Sequence, residues 1–226
     1  MPFYDNTDPL SWASRMRSRR VLHFADWLTQ IGLSSPHISI IDIGGTVEYW
    51  QQHLQTLIHR GLDPEITVVN SAPLKGREIH DDRVKSIQGD GRNLYMIGDR
   101  SFDVAYSNSV IEHVGTFGDQ VVFAQEVARV AKYYYVQTPY KYFVVEPHFV
   151  VPLWFLIPLP IRCLLLSHFD LGWYTAQKNF YLAKMEIEQV RLMSVGEVRH
   201  TFPGCRIRRE RCFGLTKSLT VMRASY

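Results

Sequence analysis

From Ile38 onward the apolar and polar positions follow two alternating rhythms. Short runs rich in β-branched and aromatic residues, at 38–43, 66–70, 84–87, 102–107 and 133–137, read as buried strands. Between them apolar residues recur at helical spacing. Val47, Trp50, Leu54, Leu57 and Ile58 follow the first strand, and Val122, Phe123, Val127 and Val130 mark a helix over 119–131. Gly61 with Pro64 just beyond stops the first of these helices, and Thr138-Pro139 closes the fifth strand. Strand and helix in alternation predict a parallel, doubly wound sheet with right-handed crossovers.

The two ends and one central stretch depart from this rhythm. Residues 10–31 read as an amphipathic helix with Ser11 as its cap, Trp12, Met16, Phe24, Leu28 and Ile31 on one side, and Gly32 as its stop. Its arginines, Arg15, Arg17, Arg19 and Arg20, form either a solvated basic face or an anion contact. Residues 140–192 are aromatic and proline-rich, as expected of an insertion or lid over the strand ends. Ser194-Val195-Gly196-Glu197 has the form of a capping box, and two late strands at 205–211 and 218–222 flank a turn at 212–215 that permits a hairpin. The expected fold is α/β. It is a doubly wound, mostly parallel, seven-stranded Rossmann-like sheet with an antiparallel C-terminal hairpin and an aromatic insertion after the fifth strand, in one domain over 1–226.

Composition alters this picture little. The chain has 226 residues, 46% hydrophobic and 21% charged, which supports a sizeable core and argues against global disorder. A net charge of +3 does not by itself point to nucleic acid. Cys163, Cys205 and Cys212 have no C-x-x-C spacing, so neither a disulfide framework nor a zinc site is expected, and no metal is assigned. Nothing between Met1 and Ser11 resembles a signal peptide, so a reducing, cytoplasmic setting is the default expectation. Residues 149–166 are almost wholly apolar, but Pro152, Pro158 and Pro160 interrupt them. The readings are a membrane-spanning helix, a peripheral membrane contact, and an insertion that packs on the core, the last being favoured.

Ligands of open α/β sheets bind beyond the carboxyl ends of the strands. Those ends supply Asp42 with Gly44 and Gly45, then Asn70, Asp90, and Ser107 with Asn108, which should converge on one crevice. Gly44-Gly45 lets a ligand approach bare backbone. The third glycine of a dinucleotide fingerprint is missing, and no phosphate loop is present.

Three segments together, Ile41-Asp42-Ile43-Gly44-Gly45-Thr46, Gln88-Gly89-Asp90, and the run from Ser101-Phe102-Asp103 through Ser107-Asn108-Ser109-Val110-Ile111-Glu112-His113-Val114, resemble the class I S-adenosylmethionine-dependent methyltransferases in order and spacing. The likeness covers 38–139 best, and extends to the Phe202-Pro203-Gly204 tail with its hairpin. It implies S-adenosylmethionine as cofactor. Asp42, Gly44 and Gly45 would lie under its methionine part, Asn70 would stand where the family holds the ribose hydroxyls with an acid, and Asp90 with Gly91 would form the adenine-side turn. Ser107, Asn108 and Ser109 would line the cofactor and face the acceptor.

Methyl transfer from a sulfonium needs alignment, exclusion of water and, for some acceptors, removal of a proton. His113 and His148 are the candidate bases, each set against a purely structural role, and Glu146-Pro147-His148 lies at the expected crevice mouth. Phe143, Phe149, Trp154, Phe155, Phe169, Trp173 and Tyr174 would roof a pocket for a greasy acceptor, with Arg162, Arg206, Arg208 and Arg209 facing an anionic headgroup. The expected reaction is methylation, at oxygen, of a small, lipid-like or glycan acceptor, with no nucleic acid partner. The alternative is a non-catalytic methyltransferase-like partner or membrane-surface protein.

Overall fold

The computed structural model describes residues 12–33, 35–72 and 81–223. In chain order it contains α1 (Trp12–Gln30), β1 (His37–Ile43), α2 (Val47–Ile58), β2 (Asp63–Asn70), β3 (Val84–Gln88), β4 (Phe102–Asn108), α3 (Phe117–Val130), β5 (Ala131–Pro139), α4 (Leu159–His168), α5 (Phe180–Glu188), α6 (Val195–Thr201), β6 (Cys205–Cys212) and β7 (Leu215–Arg223). Single 3-10 turns stand at Ile111–His113 and Trp154–Leu156. Among the described residues the strands form one seven-stranded sheet in the order β3-β2-β1-β4-β5-β7-β6. The first five run parallel, and β7 pairs antiparallel with both β5 and β6.

Every expected strand is present, and most run longer than their apolar signal. β2 begins three residues before its partner β3 reaches it: Pro64 pairs only with Ile38, and the β3 register starts at Ile66. A proline without an N–H is tolerated there because nothing on that side asks for one. β5 starts directly from α3 at Ala131 and reaches Pro139. The hairpin turn is Phe213-Gly214, both at positive φ (49° and 79°), the two-residue geometry whose twist matches the flanking strands. The α1 cap expected at Ser11, and the side chains of Trp12, Arg15 and Arg17, lie outside the described residues.

The sheet divides two cores. On one face α1 and α2 bury Phe24, Leu28, Trp50, Leu54 and Leu57 against Ile38, Ile40, Val68, Tyr106 and Tyr135. On the other, α3 and α6 bury Phe123, Val127, Val198 and Phe202 against Ile41, Ile43, Ala105 and Val136. Strand alternation sends Tyr134 to Phe202 and Tyr135 to Phe24. At roughly 25 cal/mol per Å2 of apolar surface, these two interfaces dominate the stabilisation.

The insertion has a third core of its own. Phe149 stacks on Trp154 and on Tyr174, each at 4.6 Å, and Cys163, Leu166, Ala183 and Ile187 close around them. The apolar run at 149–166 therefore breaks into a 3-10 turn and the ten-residue α4, which starts just after Pro158. No helix among the described residues is long and apolar enough to cross a membrane.

Candidate functional site

The β1–α2 connection shows why glycine is required. Gly44 has φ +85° and donates its N–H to the Val69 carbonyl at 2.7 Å, and a Cβ there would stand 2.5 Å from Val110 Cγ1. A Cβ on Gly45 would fall within 2.7 Å of both carboxylate oxygens of Asp42. Thr46 then caps α2 by accepting the Tyr49 N–H. The turn presents bare backbone because side chains have no room.

A cavity of about 660 Å3 opens over that turn. Its wall runs from Gly44 through Asn70 and Gly89-Asp90-Gly91 to Ser109 and His113, and α5 closes it with Met185. The volume falls in the range of small-molecule and cofactor sites. A Cβ on Gly91 would meet Ile43 and Phe123 at 2.7 and 2.8 Å, so the adenine-side turn is also seated on the core by lack of a side chain.

Gly44, Asn70, Asp90, Gly91, Ser109 and His113 thus come together on one wall. Asp42, Gly45, Ser107, Asn108 and His148 stand behind it and do not line it. Asp42 is fully buried and accepts from Trp50 Nε1 at 2.7 Å, while its other oxygen has no hydrogen-bond partner among the described residues. Burial raises its pKa to about 7, against the opposing Trp50 hydrogen bond. Ser107 donates to the Ile43 carbonyl at 2.9 Å and locks β4 to the end of β1. Asn70 donates its amide to the Gly45 carbonyl (3.1 Å) and accepts the Ala72 N–H (3.2 Å), so its side chain already ties the glycine turn to β2. Asp90 accepts the Arg92 backbone N–H and pairs with its guanidinium at 2.7 Å, which holds its carboxyl below the usual range. Ser109, at φ +57°, donates to Gln137 at 2.9 Å.

Beyond β4 the chain makes its 3-10 turn, and three hydrogen bonds fix it to the insertion: Arg191 N–H to the Glu112 carbonyl at 2.8 Å, and the Gln120 amide donating to both the Ile111 and the Arg191 carbonyls. The turn places the His113 ring 4.9 Å from the His148 ring, edge to face. Glu146 accepts the backbone N–H groups of His148 and Phe149 at 2.7 and 2.6 Å on one oxygen, and His148 Nδ1 at 2.6 Å on the other. Burial disfavours the His148 cation, but Glu146 and Glu112 outweigh it and raise the pKa. Burial and the neighbouring His148 push His113 down to about 4, against a hydrogen bond to the Gln189 backbone. Glu112 lies fully buried beneath them, its carboxyl raised to about 6 by burial and its Oε2 accepting from Thr138 at 2.9 Å.

The aromatic roof is not where the sequence suggested. Phe149, Trp154 and Tyr174 are consumed in the insertion core, Phe169 and Trp173 face solvent, and Phe143 and Phe155 line a separate cavity of about 190 Å3 with Arg162. None of the seven lines the large cavity. Arg162 donates to the Ile157 carbonyl and stacks on Trp154, while Arg206 and Arg208 line another crevice beside Tyr135. Arg20 does contact an anion, but the chain's own: it pairs with Glu210 at 3.1 Å and reaches Asn108 and Gln137 at 3.3 Å. That contact, and the closing residues Met185, Glu188 and Gln189, have no local sequence signal, because they join positions far apart in the chain.

Residues 41–133 match the family model described as Methyltransferase domain. That stretch is similar to methyltransferase domains, and the chain has the Rossmann-like fold of the S-adenosylmethionine-dependent methyltransferases. Its sheet order and C-terminal antiparallel pair are those of that fold. Among solved structures, the chain is similar to a Haloferax volcanii putative methyltransferase in complex with the Trm112 methyltransferase activator: 15% identity, 95% of this chain and 96% of that one, TM-score 0.54. It is also similar to magnesium protoporphyrin IX methyltransferase from Synechocystis with bound SAM: 11% identity, 94% of this chain and 82% of that one, TM-score 0.52. The chain spans only 48% of a putative sarcosine dimethylglycine methyltransferase from Galdieria sulphuraria, at 20% identity and TM-score 0.45. No curated protein sequence matches it.

Proposed function

We propose that the chain methylates an oxygen of a small, lipid-like acceptor, with the large cavity holding S-adenosylmethionine and the His113–His148 pair serving the acceptor. The cavity suits that cofactor: its floor is bare backbone at Gly44 and Gly91, where a Cβ would collide with Val110 or with Ile43 and Phe123, and its volume is ample. The Gly44 backbone, Asn70, the Asp90–Gly91 turn and Ser109 would hold the cofactor, with Asp42 and Ser107 acting from behind the wall. When bound, it supplies an electrophilic methyl on a sulfonium with a neutral leaving group. The chain's own task is to orient the acceptor, exclude water and receive a proton.

The observation that carries the acceptor assignment is His113 on the cavity wall with His148 and Glu146 in line behind it. Glu146 fixes the His148 ring through Nδ1 and leaves Nε2 to exchange a proton. The lipid-like class is supported by α4 and α5. Ile161 and Leu164 of α4, and Leu182 and Met185 of α5, are exposed at i,i+3 spacing, and Met185 also lines the cavity. An apolar surface therefore leads into the site, which suits an acceptor presented at a membrane surface by a domain that acts as one unit.

The test is S-adenosylhomocysteine formation with a panel of hydroxylated lipids and glycolipids. His148→Ala should lower kcat by about 100-fold or more, with cofactor affinity unchanged by calorimetry. Full turnover in both His148→Ala and His113→Ala would remove the pair from the mechanism.

A further inference from the structure

Glu112, His113 and His148 each bring a donor atom to within 4.8 Å of the others. We propose that these three residues bind a first-row divalent cation of the zinc type, with the remaining coordination positions open toward the cavity. The cysteine spacing gave no hint of it, because the ligands are two imidazoles and a carboxylate gathered from the turn after β4 and the loop after β5.

Four observations support the site. The donor set is the imidazole and carboxylate mixture that suits zinc, iron and manganese rather than calcium. Glu112 is 0% exposed and its Oε1 has no hydrogen-bond partner among the described residues. A buried carboxylate oxygen left bare is costly, and a cation supplies what it lacks. His148 is also already held through one ring position, Nδ1 on the Glu146 carboxylate, which leaves its other nitrogen for a metal. That outer arrangement is what orients ligating imidazoles. Finally, His113 stands on the wall of the large cavity, so an open coordination position has a place to receive a ligand.

Metal–ligand bonds of about 2.0–2.2 Å put neighbouring donors roughly 3–3.5 Å apart, so closing the site takes a side-chain adjustment of about an ångström. Three protein ligands with a vacant position is the arrangement of catalytic rather than structural zinc. This inference rests in part on the oxygen-acceptor reading. With the metal bound, His113 and His148 would act as ligands in place of the base role given them above: a hydroxyl at the vacant position would have its pKa lowered and would lose its proton to solvent through the open cavity mouth, leaving the oxygen lone pair exposed to the methyl.

The experiment uses the full chain, stripped with chelator and titrated with Co2+ while visible absorption is followed. One equivalent should bind, with d–d bands and no sulfur charge-transfer band. Glu112→Gln and His148→Ala should each weaken binding at least tenfold, and Glu146→Gln, which acts through His148, should weaken it about tenfold. If these variants fold poorly, Cu2+ spin resonance on the unaltered chain should show couplings from two imidazole nitrogens. No uptake of Co2+, binding indifferent to His148→Ala, or a spectrum dominated by sulfur would overturn the site. Cofactor binding is measured separately by calorimetry. Normal affinity for S-adenosylmethionine in a chain that takes no metal would sink this inference and leave the methyltransferase assignment standing.

Discussion

The two sides of the large cavity are built on opposite principles. On the side of β1, β2 and β3 the wall is backbone held at a fixed shape by missing side chains and by buried polar groups behind it: Gly44 at φ +85°, Gly91 on the core, Asn70 tying down the Gly45 carbonyl. On the side of β4, β5 and the insertion the wall is made of side chains, with His113 from the turn after β4 meeting Met185 and Glu188 from α5. The first kind recognises a constant ligand through main-chain geometry. The second can be re-fitted to a new acceptor by changing residues without disturbing the sheet. The comparison teaches where substitutions should be all-or-none and where they should be graded.

The largest effect belongs to the backbone side. Gly44→Val adds a branched side chain at positive φ, with its Cβ within 2.6 Å of both Val110 methyl carbons. Backbone strain of about 1–3 kcal/mol adds to overpacking of similar size. The turn must move, so S-adenosylmethionine affinity should fall more than about 100-fold, equivalent to roughly 2.7 kcal/mol. Calorimetry on folded variant that returns wild-type affinity would break the claim that this wall is backbone-limited.

A second effect lies behind the same wall. The Asp42 carboxyl is raised from 3.8 to about 7 by burial. Between those values the folded chain keeps a proton that the unfolded chain has lost, so stability is full below about pH 4 and declines as pH rises through 7. The difference corresponds to a penalty on the order of 4 kcal/mol for the ionised form. Asp42→Asn cannot ionise and retains an acceptor for Trp50 Nε1. Its stability relative to wild type should therefore climb between pH 4 and pH 8 in denaturant melts, and then level off. A pH-independent difference would show that Asp42 is ionised in the fold and paired with something not recognised.

The same division explains how far the residues could be read. The strands and the glycine turn were legible because burial of a parallel sheet writes itself as short apolar runs, and because glycine is forced where a Cβ would collide. Glu112-His113 was legible as a segment, but its chemistry was not, since the partner His148 is positioned by Glu146 and by a loop with no periodic signal. The aromatic insertion misled for a physical reason. Composition shows that Phe149, Trp154 and Tyr174 must be buried, but not against what, and they bury against one another. Arg20 and Glu210 lie at opposite ends of the chain, so only the sheet order reveals that they meet over β4 and β5.

The smallest effect on the fold should come from the insertion's outer face, and it sharpens the comparison most. Leu164 is 56% exposed on α4, where a substitution typically changes stability by no more than about 0.5 kcal/mol. Leu164→Glu should leave the melting curve and S-adenosylmethionine affinity unaltered. It should nevertheless reduce co-sedimentation with phospholipid vesicles and raise KM for an acceptor presented in them, while KM for a short-chain, water-soluble version stays the same. The pattern separates a presenting surface from a structural one, because a fold defect would depress both acceptors equally. Equal kinetics on both acceptors would mean that the apolar face of α4 and α5 serves some partner other than a lipid surface, and that the acceptor reaches His113 through the open cavity alone.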